Sequence, residues 1–223
     1  LNQATAAADA AQGLPLSASS PSAATTSDRL VLASASPRRQ ELLHEAGYRF
    51  IVDPAHIDED SVDNLMPMEL AVFLAEQKAR AVAPRHPKQV VLAADTVVAF
   101  GDQPLGKPED AAEARQMLQL LSGTTHIVIT GISALCLQQN LHHSSASLSA
   151  VRMRPLNEQE IERYVQSGLW RGKAGGYGIQ DPDPFVIRMS GSLSNIVGLP
   201  MEITGELLAR LGVYPAAGGA SAA

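Results

Sequence analysis

Arg38 and Arg39 stand side by side in "LVLASASPRRQELLHEAG", where a strand gives way to a helix. Ser36 reads as the N-cap and Pro37 as the first helical residue, so both guanidinium groups fall in the first turn. The helix dipole is positive there, and each cation costs about 0.3–1 kcal/mol. One reading is a solvated turn in which Arg38 pairs with Glu41 or Glu45. The other is an anion site, because free N–H groups and arginine forks both grip phosphate oxygens. A bound anion reverses the penalty, and two arginines in series suit a polyphosphate better than a monophosphate.

Asp95 interrupts the apolar run "VVLAADTVVAF". A carboxylate there must accept hydrogen bonds, meet a cation or hold a proton. It either caps a strand end or serves as a metal ligand or general base at a strand's C-terminal edge, where open α/β sheets place their sites. Lys78 continues the stripe of Leu70 and Leu74 on one helix face. It either snorkels to water or reaches into a pocket. Lys107, in "LGKPED", lies between a glycine and a proline that stiffens its loop. "GKAGGYGIQ" is rich in glycine but matches neither the dinucleotide fingerprint nor the P-loop. His126 reads as structural, and His142 and His143 as hairpin-loop residues.

These residues need a scaffold, and the hydrophobic pattern supplies one. It predicts a strand at 30–33, a helix at 37–46 stopped by Gly47, and a second strand in "YRFIVDP". The acidic loop "HIDEDSVDNLMP" leads to a helix over 67–82, ended by Pro84. A strand through "KQVVLAADTVVAF" precedes the turn-rich "GDQPLGKPED" and a helix at 109–121. "HIVITGISALCLQ" and "SASLSAVRMRPL" read as antiparallel strands around a loop at 138–143. Asn157 and Glu160 form a capping box for a helix at 157–167. "FVIRM" and "NIVGL" bracket "SGSLS", and a last helix runs over 201–211. With no internal repeat and at least one hairpin, this is a mixed α/β sheet.

Composition narrows the function. The 223 residues carry a net charge of −6 and only 4% aromatics, which argues against a polynucleotide-binding surface. One small anion site remains compatible with that balance. The single cysteine, Cys136, reads as a buried hydrophobe and supports neither a disulfide nor a cysteine-based zinc site. No apolar run is long enough to span a membrane. Residues 1–28 are rich in Ala, Ser and Thr and lack a signal peptide's charged start and apolar centre. They read as a disordered leader, and 214–223 as a loose tail, around one domain at 29–213.

"LASASPRRQELL", "AADTVV", "LGKPED", "LSGTTHIVITGI", "KAGGYGIQ" and "GSLSNIVGLP" together resemble, in order over residues 30–212, the Maf family of nucleoside triphosphate pyrophosphatases. The resemblance implies a fold like that of the inosine triphosphate pyrophosphatases. That fold is an elongated, twisted mixed sheet flanked by helices, with a cleft between two lobes. It implies hydrolysis of a nucleoside triphosphate to monophosphate and pyrophosphate with Mg²⁺ or Mn²⁺. It also implies a cytoplasmic protein, often a homodimer, linked to clearing noncanonical nucleotides and restraining cell division. By the resemblance, Asp95 is the proton acceptor and a metal ligand, and Ser34, Arg39, Lys78 and Lys107 line a phosphate channel. Glu59, with Asp58 beside it, matches an acidic position near the metal. Arg38, Thr96 and Gln180 match positions that mark the subgroup acting on dTTP and UTP. A glutamine amide suits a pyrimidine edge that offers one donor and one acceptor. After Gln180 the chain reads "DPDPF", where that subgroup more often has a glycine-rich turn. The competing reading is a nucleotide-binding regulator of cell division that acts through a protein partner without turnover.

Overall fold

The computed structural model describes residues 29–59, 65–182 and 185–216. The expected leader lies outside the described residues, as does most of the expected tail. In chain order the elements are β1 (Leu30–Leu32), α1 (Pro37–Glu45), β2 (Ile51–Val52), α2 (Pro67–Val82), β3 (Val90–Phe100) and β4 (Gln103–Leu105). They continue with α3 (Ala111–Leu121), β5 (Thr125–Cys136), β6 (Leu141–Met153), α4 (Glu158–Ser167), β7 (Val186–Ser190), α5 (Leu193–Val197) and α6 (Met201–Arg210).

The strands form one mixed sheet in the order β2-β1-β3-β5-β6-β7, with β4 also on β3. β1 runs parallel to β2 and β3, and the remaining pairs are antiparallel. β3 pairs with three strands, β1, β4 and β5. Along one edge it pairs continuously with β5 from Val91 to Ala99. Along the other, β1 covers only residues 90–92 and β4 only 98–100. The stretch 93–97 therefore has a notch beside it, and Asp95 sits at its centre.

The hydrophobic side chains separate into two lobes on either side of this notch. Leu30, Leu43, Leu92, Ile132 and Leu208 fill one, where α1 and α6 cover the sheet. Val98, Leu118, Val151, Ile161 and Trp170 fill the other, with α3 and α4. On the opposite face α2 lies close to the strands through small residues such as Ala71, Ala75 and Ala79. Gly131 in β5, cross-strand from Asp95, makes that approach possible. A Cβ there would sit 2.2 Å from the Ala71 carbonyl oxygen, inside van der Waals contact.

Several elements differ from expectation. His142 and His143 belong to β6, because the turn closes over 137–140 with Asn140 at a φ of 50°. His142 Nε2 lies 2.9 Å from Ser133 Oγ, a cross-strand contact that a loop position would lack. "GDQPLGKPED" contains β4, and α3 starts after Asp110, whose side chain accepts from the Glu113 N–H. "NIVGL" begins in α5, where the Ser192 side chain caps the Asn195 N–H and starts a helix inside an apolar run. His126 is structural as expected: its Nε2 is 2.6 Å from the Tyr177 hydroxyl, and burial pulls it down to about 4. Among the described residues no helix is long and apolar enough to cross a membrane.

Candidate active site

Side chains alternate across a strand, so the notch presents Asp95 to one face of the sheet and Thr96 to the other. Asp95 faces α2. Two turns into that helix from Ala71, Lys78 donates from Nζ to Asp95 Oδ1 at 2.5 Å and meets Glu59 Oε1 at 2.8 Å. Glu59 Oε2 in turn accepts from Lys107 at 3.2 Å. A chain of alternating charge thus runs from the interior to the cleft mouth: Asp95, Lys78, Glu59, Lys107.

Asp95 is only 4% exposed and Lys78 only 7%, so the lysine does not snorkel to water. A lone charge at either place would be costly, and each is there because the other is. Burial works to raise the Glu59 carboxyl, but the hydrogen bond and charge of Lys78, with help from Lys107, hold it below its ordinary range. Asp95 lies behind Lys78 rather than on the cleft surface. Its Oδ2 accepts no hydrogen bond from a described residue, so one carboxylate oxygen stays available.

On the other face, Arg39 closes the notch. Its Nε donates to the Gly198 carbonyl at 2.8 Å. Nη1 donates to the Ala94 carbonyl at 2.8 Å and to Ser34 Oγ at 3.1 Å. Nη2 donates to Thr96 Oγ1 at 3.1 Å. A guanidinium has five N–H donors, and four are committed to the protein. The Ala94 carbonyl is the backbone group that the gap between β1 and β4 would leave open, so Arg39 takes the place of a missing strand neighbour. Burial pulls its pKa down, against the attraction of Asp95. Thr96 Oγ1 also lies 3.0 Å from Thr130 Oγ1, which places its hydroxyl in the same interior network.

Arg38 takes a different course from the same helical turn. Neither Glu41 nor Glu45 pairs with it among the described residues. Its Nη2 reaches the Gly172 carbonyl at 3.4 Å, which leaves most of its donors facing the cleft. That cleft measures about 740 Å³ and is lined by Ser34, Arg38, Arg39, Glu59, Lys78, Thr96, Lys107 and Gln180. Every residue expected at the site lines it except Asp95, which is one side chain behind.

Two carboxylates converge on one ammonium, and this donor set fits a divalent ion that arrives with phosphates. Mg²⁺ is commonly held by one or two carboxylates plus substrate phosphate oxygens. The Lys78 ammonium marks where positive charge already rests between Asp95 and Glu59. Among the described residues no group of three or more His, Cys, Asp or Glu side chains gathers.

Sequence reasoning did not find Gly198, Lys173 or Asp181. Gly198 accepts from Arg39 at a φ of 123°, a conformation that favours glycine. Its only signal was a glycine between the apolar runs of "NIVGLP". Lys173 and Asp181 pair across the glycine-rich loop beside Gln180. Nothing in their spacing announced that contact.

A family model described as Maf-like protein matches residues 29–211. A dTTP/UTP pyrophosphatase of Paramagnetospirillum magneticum is 47% identical over 188 residues, covering 83% of this chain and 98% of the relative. One from Bacillus pumilus is 42% identical over 189 residues, covering 84% and 99%. One from Maricaulis maris is 47% identical over 189 residues, covering 84% and 89%. The solved Ham1 protein of Staphylococcus aureus covers 56% of this chain and 71% of its own at 16% identity, with a TM-score of 0.39.

Proposed function

The chain belongs to the Maf-like family, and from that premise we propose that it hydrolyses dTTP and UTP to the monophosphate and pyrophosphate. The observation that carries the reading is the notch in β3. A carboxylate with one open oxygen sits there behind a lysine, at the back of a cleft rimmed by Arg38 and Lys107. The relatives named above as dTTP/UTP pyrophosphatases match it over nearly their whole length.

In this proposal Lys78 and Lys107 take up the triphosphate charge, and Asp95 Oδ2 accepts a proton from a water. The water oxygen bonds to the α-phosphorus, the bond from that phosphorus to the bridging oxygen breaks, and pyrophosphate leaves. Lys78 donates to Oδ1 and fixes the carboxylate, so that Oδ2 is the oxygen left for the proton. Preorganised positive charge around the developing negative charge is the largest contribution to rate. Asp95 and Glu59 would hold a divalent ion, which supplies Lewis-acid stabilisation of phosphate oxygens when bound. The resemblance adds a cytoplasmic location and a homodimer to the proposal.

Base choice rests on two groups of different character. Gln180 is exposed, and its amide has no partner among the described residues. A free amide can turn over and so match either uracil or cytosine. Arg38 can only donate, so it favours bases that present carbonyl oxygens to it and disfavours the cytosine amino group. A mismatched buried group costs roughly 1–3 kcal/mol. Purines need a wider pocket, and the thymine methyl adds only about 1 kcal/mol.

Turnover of dTTP in ¹⁸O-water tests the reaction. The expected products are dTMP carrying the label and unlabelled pyrophosphate. Release of dTDP with orthophosphate, or label in pyrophosphate, overturns the mechanism.

A further inference from the structure

Gln180 reads the base from the tip of a turn, and the turn is braced by side chains outside the cleft's charge chain. The Asp181 N–H donates to the Gly178 carbonyl at 3.3 Å, which closes a four-residue turn with Ile179 and Gln180 at its centre. The Asp181 side chain closes it a second time, since Oδ2 accepts from the Gly178 N–H at 2.9 Å. The same carboxylate accepts from the Tyr164 hydroxyl on α4 and pairs with Lys173 Nζ at the start of the glycine-rich loop. The side chains of Asp181 and Lys173 are only 10% and 12% exposed.

The packing over this turn leaves no slack. A Cβ at Gly178 would lie 2.8 Å from Lys173 Nζ and 2.9 Å from both Asp181 oxygens. Burial, and after it the bond to Asp181, raises the Tyr164 pKa above the ordinary phenol range, so its hydroxyl keeps the proton it donates. One residue before Lys173, the Gly172 carbonyl receives Arg38. Both base-reading groups therefore refer to one braced loop.

We propose that Asp181 is a positioning residue for base selection: bridging Tyr164, Lys173 and Gly178, it fixes the turn that aims the Gln180 amide beside Arg38. This rests on the dTTP/UTP reading above. An amide on a loose turn can shift and flip to suit either pyrimidine. On a fixed turn only one placement meets both the amide and the donor-only arginine. Ordering a residue costs backbone entropy, and the brace has met that cost before the ligand arrives.

The test compares kcat/KM for dTTP, CTP and ribose 5-triphosphate, which has no base, in the wild type, Asp181→Asn and Tyr164→Phe. Asp181→Asn is expected to cut the dTTP-to-CTP ratio by about tenfold, chiefly through a higher KM for dTTP. Its rate on ribose 5-triphosphate should fall by less than about threefold, because phosphate contacts are elsewhere. Tyr164→Phe keeps the ring and loses one of the donors, so the ratio should fall by about threefold. It carries the test if Asp181→Asn does not fold. Equal losses on all three substrates, or a wild-type preference that survives in every folded variant, overturn the brace while leaving the dTTP/UTP reading intact. A wild-type ratio near one overturns that reading and this proposal together.

Discussion

Arg38 and Arg39 are neighbours in the first turn of α1, yet they belong to different kinds of surface. Arg39, with Lys78, forms the back wall of the cleft, where nearly every donor is matched by a protein acceptor. Arg38, with Lys107 and Gln180, forms the rim, where donors are exposed or held at long range. A cation in the wall is held mainly by the fold and keeps the notch in shape. A cation on the rim is only lightly held, so its charge is available to a ligand. Residue type and position in the chain do not separate the two roles. The count of acceptors already in reach does.

The largest expected effect tests the wall's chemistry. Asp95→Asn should lower kcat by at least ~10²-fold, since the amide keeps the contact with Lys78 but cannot take a proton. Circular dichroism should remain that of the wild type, because Lys78 is still paired with Glu59. A kcat within a few-fold of wild type would remove Asp95 from proton transfer.

Arg39→Lys separates holding the fold from holding the ligand. A lysine cannot span the acceptors on β3, Ser34 before α1 and the Gly198 carbonyl at once, so some buried acceptors lose their partners. The expected loss is roughly 2–4 kcal/mol of stability, or a melting temperature lower by about 5–15 °C. KM measured well below that temperature should change by no more than about fivefold, since Lys and Arg both carry the charge a phosphate meets. A stable variant with a greatly raised KM would show instead that Arg39 belongs with the rim.

The smallest effect is expected at the rim. Lys107 is half exposed and, among the described residues, paired only with Glu59. Lys107→Gln should raise KM by about 3–10-fold at low salt, with the difference shrinking as salt screens the charge. Melting temperature and kcat should stay near wild type. A cooperative loss of stability would erase the distinction between rim and wall.

Much of this was legible in the sequence where the physics is local. The helix expected over 67–82 is α2 with the same limits. The Asn157–Glu160 capping box opens α4 with both of its hydrogen bonds. The near-continuous apolar run "VVLAADTVVAF" gave β3 its two buried faces, and a charge in that run marked Asp95 as a residue needing a partner. The histidines of β6 were misplaced because a turn's tightness depends on cross-strand contacts that no window of sequence contains. The helix in "NIVGL" was missed because its cap, Ser192, lies within a serine-rich stretch that reads as loop.

By itself the sequence determined that a strand, a tight turn and a helix would bring two arginines to one place, and that Asp95, set in an apolar run, would need a partner, while it left Lys78 open between water and a pocket. Those follow from periodicity, capping and the cost of burying charge, all of which act over a few residues. Only the tertiary structure decided which cation answers which need. Arg39 is matched by acceptors 55, 57 and 159 residues away in the chain, and Asp181 braces a turn against a tyrosine on α4. Hydrogen-bond satisfaction is a property of position in space, and the sheet's notch and the loop over it are where those positions are set.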